Sequence, residues 1–361
     1  MQGLDVMRRI GAKIARAAGL HEGAEQVLAK ARAFAASGGY LDAIDYAALE
    51  DQRLKDPAIE RQLAIWRCEA FDTIDHPPGR PDWPPQLADP FPGAPGAPEI
   101  QGASALTAER LGGAILHHGC LIVRGLLTPK EAEPFVLGID KALAAHARFE
   151  KGEPLAEDEA WYSRFPLPPR SRNHFSRSFA EETGCVLTAD SPRNLADVVA
   201  MIHAKGVVSA IEGYLGERPA LSIGKSTLRC VPARHDSCDW HQDGAFLGEG
   251  IRTVNFWLCL SHCGEEASGL GMVRRRLPQV VETGTRGAMY DWSVGHDLAA
   301  ELAGDRPIES PAFGPGDAVF FDQLFLHRTE GRPSLSKDRY AIESWFFAPS
   351  TYPMEWGPLI V

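Results

Sequence analysis

The sequence has little of three things that would point to particular protein classes. No apolar run approaches about 18 residues, so no transmembrane helix and no membrane partner are predicted. An excess of positive charge is also missing: 37 Lys and Arg against 48 Asp and Glu give a formal net charge of −11, which disfavours nucleic-acid binding. The seven cysteines are scattered and form no Cys-x-x-Cys pair, which disfavours a disulfide framework. A reducing cytoplasmic location is therefore expected.

The 361 residues contain 44% hydrophobic and 24% charged residues, which is ordinary for a chain that buries a sizeable core. Residues 1–72 have the pattern of a helical segment. Apolar residues from Ala24 to Ala35 recur at helical spacing, Gly38 and Gly39 interrupt the pattern, and a further helix is predicted from Ile59 to Phe71. These Ala-rich faces bury little area by themselves, so we expect the segment to dock against the rest of the protein or a second subunit.

Residues 73–101 are rich in proline, with nine prolines between Pro77 and Pro98. Missing N–H donors and fixed φ angles exclude a helix or a central strand there, so a linker or surface strap is predicted. Residues 102–361 then form the third unit. It opens with helices, one of them capped by Thr107 and another by Thr128, and continues after Leu221 as short apolar strands separated by turns. This order predicts an α+β fold built around an antiparallel β core.

A candidate metal site lies in the strand-rich part of the chain. His241 and Asp243 form a His-x-Asp pair, and residues at i and i+2 of a strand project to the same face. A second histidine, His327, follows the apolar strand 318–321. Two histidines and one carboxylate leave positions open on Fe(II) for a cosubstrate and O₂. Arg339 opens the next strand, where its guanidinium could hold a dicarboxylate through two hydrogen bonds.

These motifs, with the Trp257-containing strand and the segment 119–127, resemble the phytanoyl-CoA dioxygenase family over roughly residues 105–350. The resemblance implies a double-stranded β-helix (jelly roll) with flanking helices that binds Fe(II) and 2-oxoglutarate. It implies that His241, Asp243 and His327 ligate iron and that Arg339 binds the distal carboxylate of 2-oxoglutarate. It further implies supporting cofactor contacts, which involve Thr329 beside that carboxylate, Trp257 in the cosubstrate pocket and Gln242 near cosubstrate or substrate.

The reaction implied by the resemblance is hydroxylation of an unactivated C–H bond of a small organic substrate, with release of succinate and CO₂. Halogenating relatives have Ala or Gly at the carboxylate position, whereas this chain has Asp243, so hydroxylation or a related desaturation or ring closure is expected. The segment 269–278 departs from the family's usual turn, which indicates a reshaped substrate side. Substrate identity and oligomeric state, including a homo-oligomer, stay open.

Three alternatives belong beside this interpretation. One is a catalytically silent jelly roll that recruits a protein through its helical N-terminus. Another is an iron oxygenase that does not use 2-oxoglutarate, and Arg339 is the residue that argues against it. The third is a zinc site formed by cysteines and histidines between Cys230 and Cys263, whose spacing fits no common structural site. The arginines between Arg164 and Arg177, in an irregular segment, suggest a lid that favours an anionic substrate.

Overall fold

The computed structural model describes residues 22–76, 78–155, 158–167, 173–233, 238–306 and 308–361. The predictions for residues 1–21, for Arg170 and Arg172 of the suggested lid, and for His235 of the alternative zinc site lie outside these ranges. The helices are α1 (Ala24–Ala36), α2 (Tyr40–Leu54), α3 (Pro57–Thr73), α4 (Ala108–His118), α5 (Pro129–Glu150), α6 (Asn173–Glu182), α7 (Pro192–Ala204), α8 (Val207–Leu215), α9 (Gly244–Leu247) and α10 (His296–Ala303). The strands are β1 (Glu99–Gln101), β2 (Cys120–Arg124), β3 (Cys185–Leu187), β4 (Ala220–Val231), β5 (Thr253–Cys259), β6 (Gly269–Arg276), β7 (Ile308–Glu309), β8 (Ala318–Phe321), β9 (Phe325–Glu330), β10 (Arg339–Phe347) and β11 (Pro358–Ile360).

The predicted caps account for where the two helices after the strap begin. The Thr107 side chain accepts a hydrogen bond from the backbone of Arg110 at the start of α4. At the start of α5, Thr128 and Glu131 form a reciprocal capping box, and Pro129 occupies the first helical position. Both caps satisfy backbone donors that the first turn of a helix leaves free, so the predicted starts are confirmed.

The strands form two sheets in the described part of the chain. The larger sheet has the order β1-β2-β8-β5-β10-β4-β11, with β3 paired to β4, and the smaller sheet has the order β7-β6-β9. All pairs are antiparallel except β1 with β2, which are parallel. The prediction of a mixed fold of helices and antiparallel sheet is therefore confirmed.

The proline-rich segment contains no helix or strand in its described part, residues 78–98. It runs alongside α4, which comes later in the chain. The ring of His117 contacts the carbonyl oxygen of Leu87 at 2.8 Å, and the ring of His118 contacts Asp89 at 2.9 Å. Regular structure resumes at β1, three residues earlier than the predicted end of the strap, because Glu99–Gln101 can pair with β2 and form the edge strand of the larger sheet. An edge strand tolerates the prolines that precede it.

The N-terminal helices pack against both the sheet and the later helices. Apolar residues of α3, among them Ile59, Leu63 and Trp66, belong to one buried cluster with Trp345 and Phe347 of β10. The buried Arg67 donates to the carbonyl oxygen of Ile360 in β11 at 2.8 Å. The helices and the sheet therefore share a core.

Among the described residues, no single helix has both the length and the apolar composition needed to span a membrane. Within the described part of the chain, one pair of helices, α7 and α8, meets the length and composition test when taken together, and the chain bends by 71° between them.

Candidate active site

The two histidines of the predicted site lie opposite each other on neighbouring backbone segments. The backbone N–H of His241 donates to the carbonyl oxygen of His327 at 2.9 Å, and the N–H of His327 donates back to His241 at 3.1 Å. This reciprocal pair sets the segment at His241 beside β9, and the imidazole centroids lie 4.4 Å apart. The backbone alone therefore brings the two rings together.

Asp243 completes the group, though from a different local structure than predicted. The i, i+2 argument assumed a continuous strand, whereas the backbone of Asp243 is helical (φ −61°, ψ −22°) and immediately precedes α9. The chain turns after the bridge at His241, which corrects that assumption. The Asp243 side chain does not cap the short helix, and its Oδ2 lies 3.6 Å from Nε2 of His327. The turn thus directs the carboxylate towards the imidazoles.

Backbone carbonyl groups orient both imidazoles. Nδ1 of His241 lies 3.1 Å from the carbonyl oxygen of Asp239, and Nδ1 of His327 lies 3.1 Å from that of Phe325. If each Nδ1 carries the proton, each Nε2 has a free lone pair on the side where Asp243 lies, as a metal ligand requires. Burial, together with the neighbouring His241, lowers the pKa of His327 to about 4, which keeps its imidazole neutral near neutral pH.

The donor set fits a divalent metal ion. One ligand atom from each of His241, Asp243 and His327 lies within 4.8 Å of the others. Asp243 is buried, and its Oδ2 has no hydrogen-bond partner within the described ranges. An unpaired buried carboxylate oxygen is costly unless a cation joins it. Two neutral nitrogens and one anionic oxygen are the donors that suit non-haem Fe(II).

Three of the four predicted cofactor contacts lie with this triad in one cavity of about 330 Å³. Arg339 is only 1% exposed, donates from Nη1 to the carbonyl oxygen of Gly269 at 3.2 Å, and lies with its guanidinium carbon 5.8 Å from the ring centroid of Trp257. Its Nε has no partner in the described structure. Burial and the nearby Arg229 lower the pKa of Arg339. Thr329 of β9 and Trp257 of β5 also line the cavity, so a buried guanidinium with unused donors faces it beside a hydroxyl and an indole.

Gln242 does not join these residues. Its side-chain amide donates to the carbonyl oxygens of Leu324 at 2.7 Å and Gln279 at 3.2 Å, and accepts from the N–H of Val281 at 2.8 Å. The predicted contact with cosubstrate or substrate is therefore corrected. The residue between two ligands that face the cavity points the other way, and here it anchors the loop after β6.

Strand β4 contributes charges to the cavity that the sequence analysis did not identify. Lys225, Thr227 and Arg229 alternate along one face of β4 and line the cavity. Arg229 donates to Glu343 of β10 at 2.7 Å. Although burial alone would raise it, the cations Arg229 and Lys225 lower the pKa of Glu343 to about 2. The alternation of polar residues within an otherwise apolar strand was the signal in the sequence.

Aromatic side chains form the remaining side of the cavity. Phe246, Trp292 and Trp356, which we call the aromatic wall, all line it. The ring of Trp292 meets His241 edge to face at 5.8 Å and Phe246 at 6.1 Å, and it stacks on the exposed Tyr290 at 5.0 Å. Trp292 lies in the loop between β6 and α10, which follows the segment where the sequence departs from the family pattern. This loop therefore shapes the side of the cavity next to His241.

The other candidate clusters have structural partners. Arg177 binds Asp190, and Arg164 binds Glu150 and Glu181, so these two arginines of the predicted lid pair with carboxylates of the protein. Glu150 and Glu181 also lie near His146, a second group with metal-like spacing that Arg164 already occupies. The thiols of Cys259 and Cys263 are buried 3.3 Å apart, and no zinc-like cluster involving them occurs among the described residues.

The sequence matches the family model described as phytanoyl-CoA dioxygenase over residues 115–339, which is more than half of the chain. No curated protein matches the sequence of this chain. Similar solved structures include EctD from S. alaskensis with 2-oxoglutarate and 5-hydroxyectoine (16% identity, 77% of this chain and 85% of that chain, TM-score 0.49). Another is AviO1 from Streptomyces viridochromogenes Tue57 (17% identity, 69% and 96% coverage, TM-score 0.42). A third is the non-heme alpha ketoglutarate dependent carbocyclase SnoK from nogalamycin biosynthesis (14% identity, 64% and 80% coverage, TM-score 0.41).

Proposed function

Because the chain belongs to the phytanoyl-CoA dioxygenase family, whose cofactors are Fe(II) and 2-oxoglutarate, we propose that it hydroxylates an unactivated C–H bond of a small organic substrate. The observation that carries the proposal is the convergence of His241, Asp243 and His327 in one cavity with the buried Arg339. The first three residues would hold the iron, and Arg339 would bind the distal carboxylate of 2-oxoglutarate. Thr329 and Trp257 would contact the same cosubstrate from β9 and β5.

When bound, iron and 2-oxoglutarate supply the oxidation chemistry, in which O₂ is consumed, 2-oxoglutarate becomes succinate and CO₂, and the substrate gains one oxygen atom. The protein's part is to bind and orient the metal, the cosubstrate and the substrate and to exclude water from them. The carbonyl groups of Asp239 and Phe325 orient the two imidazoles, and the aromatic wall that lines the cavity would restrict access of water. Halogenating relatives have Ala or Gly where this chain has Asp243, and the small residue lets chloride bind. The carboxylate of Asp243 therefore favours hydroxylation.

The fold supports the same proposal. We infer that the eight-stranded and three-stranded sheets are the two faces of a double-stranded β-helix. Strands β9 and β6 of the smaller sheet and β5, β10 and β4 of the larger one all contribute cavity-lining residues. A ligand between two such faces is enclosed by side chains that alternate inwards along each strand.

The test of the function is iron-dependent succinate formation. We expect the purified protein to convert 2-oxoglutarate to succinate only with Fe(II) and O₂. His327→Ala should abolish turnover and most iron affinity, because two remaining ligands hold a labile ion poorly. Thr227→Ser, which changes a cavity-lining residue outside the triad, is the matched control. Wild-type iron affinity and turnover in His327→Ala would refute the ligand assignment.

Arg339 separates this function from an iron oxygenase without 2-oxoglutarate. Arg339→Ala should weaken 2-oxoglutarate binding by about 3–5 kcal/mol, since the distal carboxylate would be left unpaired in a desolvated pocket. Arg339→Lys should recover only part of the loss, because an ammonium group lacks the planar fork. Calorimetric titration with 2-oxoglutarate measures both variants. An unchanged affinity in Arg339→Ala would refute the role.

The alternative of a catalytically silent binding module is not favoured, because the cavity retains the complete donor set. For the domain organisation we propose that residues 1–72 dock on the unit 102–361, with residues 73–101 as the strap. The shared apolar cluster and the bond from Arg67 to Ile360 support docking. A protein truncated to begin at Ser104 should then expose the apolar face of β10 and β11 and aggregate in light scattering. A soluble, fully active truncated protein would contradict docking.

A further inference from the structure

The cavity contains three cationic side chains, and only one of them has no assigned function. Arg229 pairs with Glu343 at 2.7 Å, so its charge is balanced within the protein. Arg339 is the proposed partner of the cosubstrate's distal carboxylate. Lys225 remains, and it lies on the same face of β4 as Arg229, with its side chain 19% exposed.

Lys225 is close to the metal ligands. Its Nζ lies 3.5 Å from Oδ1 of Asp243, a distance beyond a hydrogen bond with good geometry. A divalent cation on Asp243 would draw on the same carboxylate and repel the ammonium group. The lysine would therefore lose its nearest counter-charge when the site is loaded.

The formal charges of the loaded site lead to the same result. With neutral imidazole ligands, the charges of Asp243 and of the 2-oxoglutarate dianion offset those of the dication and Arg339. Arg229 and Glu343 offset each other. The ammonium group of Lys225 is then the one uncompensated charge among these groups, on a side chain that is only 19% exposed, where charges are screened less than at the surface.

The surroundings of this charge are aromatic. Nζ of Lys225 lies 4.3 Å from the ring centroid of Phe246 and 5.9 Å from that of Trp356. Trp292 contacts Phe246 on the side nearer His241. The volume of about 330 Å³ is at the small end for ligand sites and has to hold the cosubstrate as well.

We propose that the substrate is a small organic acid whose carboxylate pairs with Lys225 and whose apolar body lies against Phe246 and Trp292. This inference rests on the proposed function and names the substrate class of that site. It makes Lys225 the residue that selects an anion. The arginines Arg164 and Arg177 of the predicted lid do not serve this purpose, since each pairs with a carboxylate of the protein.

The experiment measures binding without turnover. Protein loaded with Mn(II) and 2-oxoglutarate under nitrogen is titrated calorimetrically with pairs of an acid and its primary amide that share one carbon skeleton: pentanoate, 4-methylpentanoate and 3-phenylpropanoate with their amides. We expect at least one acid to bind about tenfold or more tightly than its amide, as a charge-assisted hydrogen bond predicts. Lys225→Met should remove this preference and leave the amide's affinity unchanged, whereas Lys225→Arg should retain part of it.

The outcomes separate this inference from the function on which it rests. Failure of the wild-type protein to bind 2-oxoglutarate in the preliminary titration would refute the proposed function. Normal 2-oxoglutarate binding with no preference for any acid, or with no acid bound, would overturn only the role of Lys225. An equal loss of 2-oxoglutarate and acid affinity in Lys225→Met would assign the lysine to the cosubstrate and also overturn it. Lys337→Met, which changes an exposed lysine paired with Glu266, is the control and should match the wild type.

Discussion

Two buried arginines differ in how completely their charges are paired: one lies in the framework, by which we mean the structure outside the cavity, and the other lines the cavity. Arg177 of α6 donates from Nε and Nη2 to the two oxygens of Asp190, each at 2.7 Å. Arg339 of β10 is buried at least as deeply, but it has one backbone acceptor at 3.2 Å and an unused Nε. A buried charge without full partners is unfavourable for folding. The contrast indicates that Arg339 is placed for a ligand, whereas Arg177 is placed for the fold.

The Arg177–Asp190 pair also connects the framework locally. Oδ1 of Asp190 accepts from the backbone N–H of Phe165 at 2.8 Å, and its carbonyl oxygen accepts from the N–H of Ser163 at 2.8 Å. The carboxylate therefore ties the segment before α6 to the chain after β3. Among the described residues, no comparable set of side-chain hydrogen bonds restrains Asp243, whose Oδ2 has no hydrogen-bond partner.

The largest effect expected from this comparison is on stability. Arg177→Ala should lower the free energy of unfolding by about 3–5 kcal/mol, because Asp190 would be left buried and unpaired. Arg339→Ala should lower it by less than about 1 kcal/mol, since lost packing is offset by relief of the desolvation of its charge. Urea unfolding measures both. The double variant Arg177→Met with Asp190→Leu should recover much of the loss, and equal destabilisation by the two alanine variants would contradict the comparison.

A second prediction uses ligands to distinguish the two regions. Mn(II) and 2-oxoglutarate at 1,000 times their dissociation constants should raise the free energy of unfolding by about 4 kcal/mol for each site filled. Arg177→Ala should show the full increase from a lower starting point. Arg339→Ala should keep the contribution of the metal and lose that of 2-oxoglutarate. Thermal unfolding with each ligand alone and with both would reveal this pattern, and an identical response of the two variants would contradict it.

The smallest effect concerns Glu60 of α3, a buried carboxyl group whose ion pair with Arg193 does not fully offset the cost of burying its charge. Burial raises the pKa of Glu60 to about 7, although Arg193 donates to it. Because this pKa lies above that of the unfolded chain, the group's contribution to stability is fully present below about pH 4.5 and is lost as the pH rises to about 7. Glu60→Gln should remove a decline of about 1–3 kcal/mol from this interval.

Urea unfolding from pH 4.5 to 7.5 measures that decline, and Glu159→Gln at an exposed carboxylate is the matched control. The difference between the Glu60→Gln and wild-type curves isolates the group from other titrations. A stability difference that stays constant with pH would show that Glu60 is charged in the folded protein throughout.

The sequence was informative where chemistry depends on residue type and short spacing. The triad, Arg339, Thr329 and Trp257 could be predicted because each lies in or next to an apolar strand of a matching family pattern, and they do share a cavity. Gln242 was misplaced because the residue between two cavity-facing side chains points away from the cavity, and its amide bonds to Leu324, Gln279 and Val281 instead. The Arg229–Glu343 pair joins residues 114 positions apart, so only strand register brings it together.

Lys225 and Trp292 show the other limit of sequence reasoning. A lysine in an apolar strand signals a polar face, but which groups face it depends on the turn at Asp243 and on the position of α9. Trp292 lies in an irregular loop after β6, where no periodicity predicts direction. The side of the cavity formed by His241, Asp243 and His327 was therefore more predictable than the side formed by β4 and the aromatic wall.

The reciprocal hydrogen bonds between His241 and His327 have a consequence for the choice of metal. Because these backbone bonds place the two histidines opposite each other, we expect metal binding at the proposed site to require no folding step. A preformed site with two nitrogen donors and one oxygen donor binds Ni²⁺, Cu²⁺ and Zn²⁺ more tightly than Fe²⁺, following the general order of divalent affinities. If the proposed function holds, competition between ions, set by the free concentration of each around the protein, would decide which molecules of the population are active.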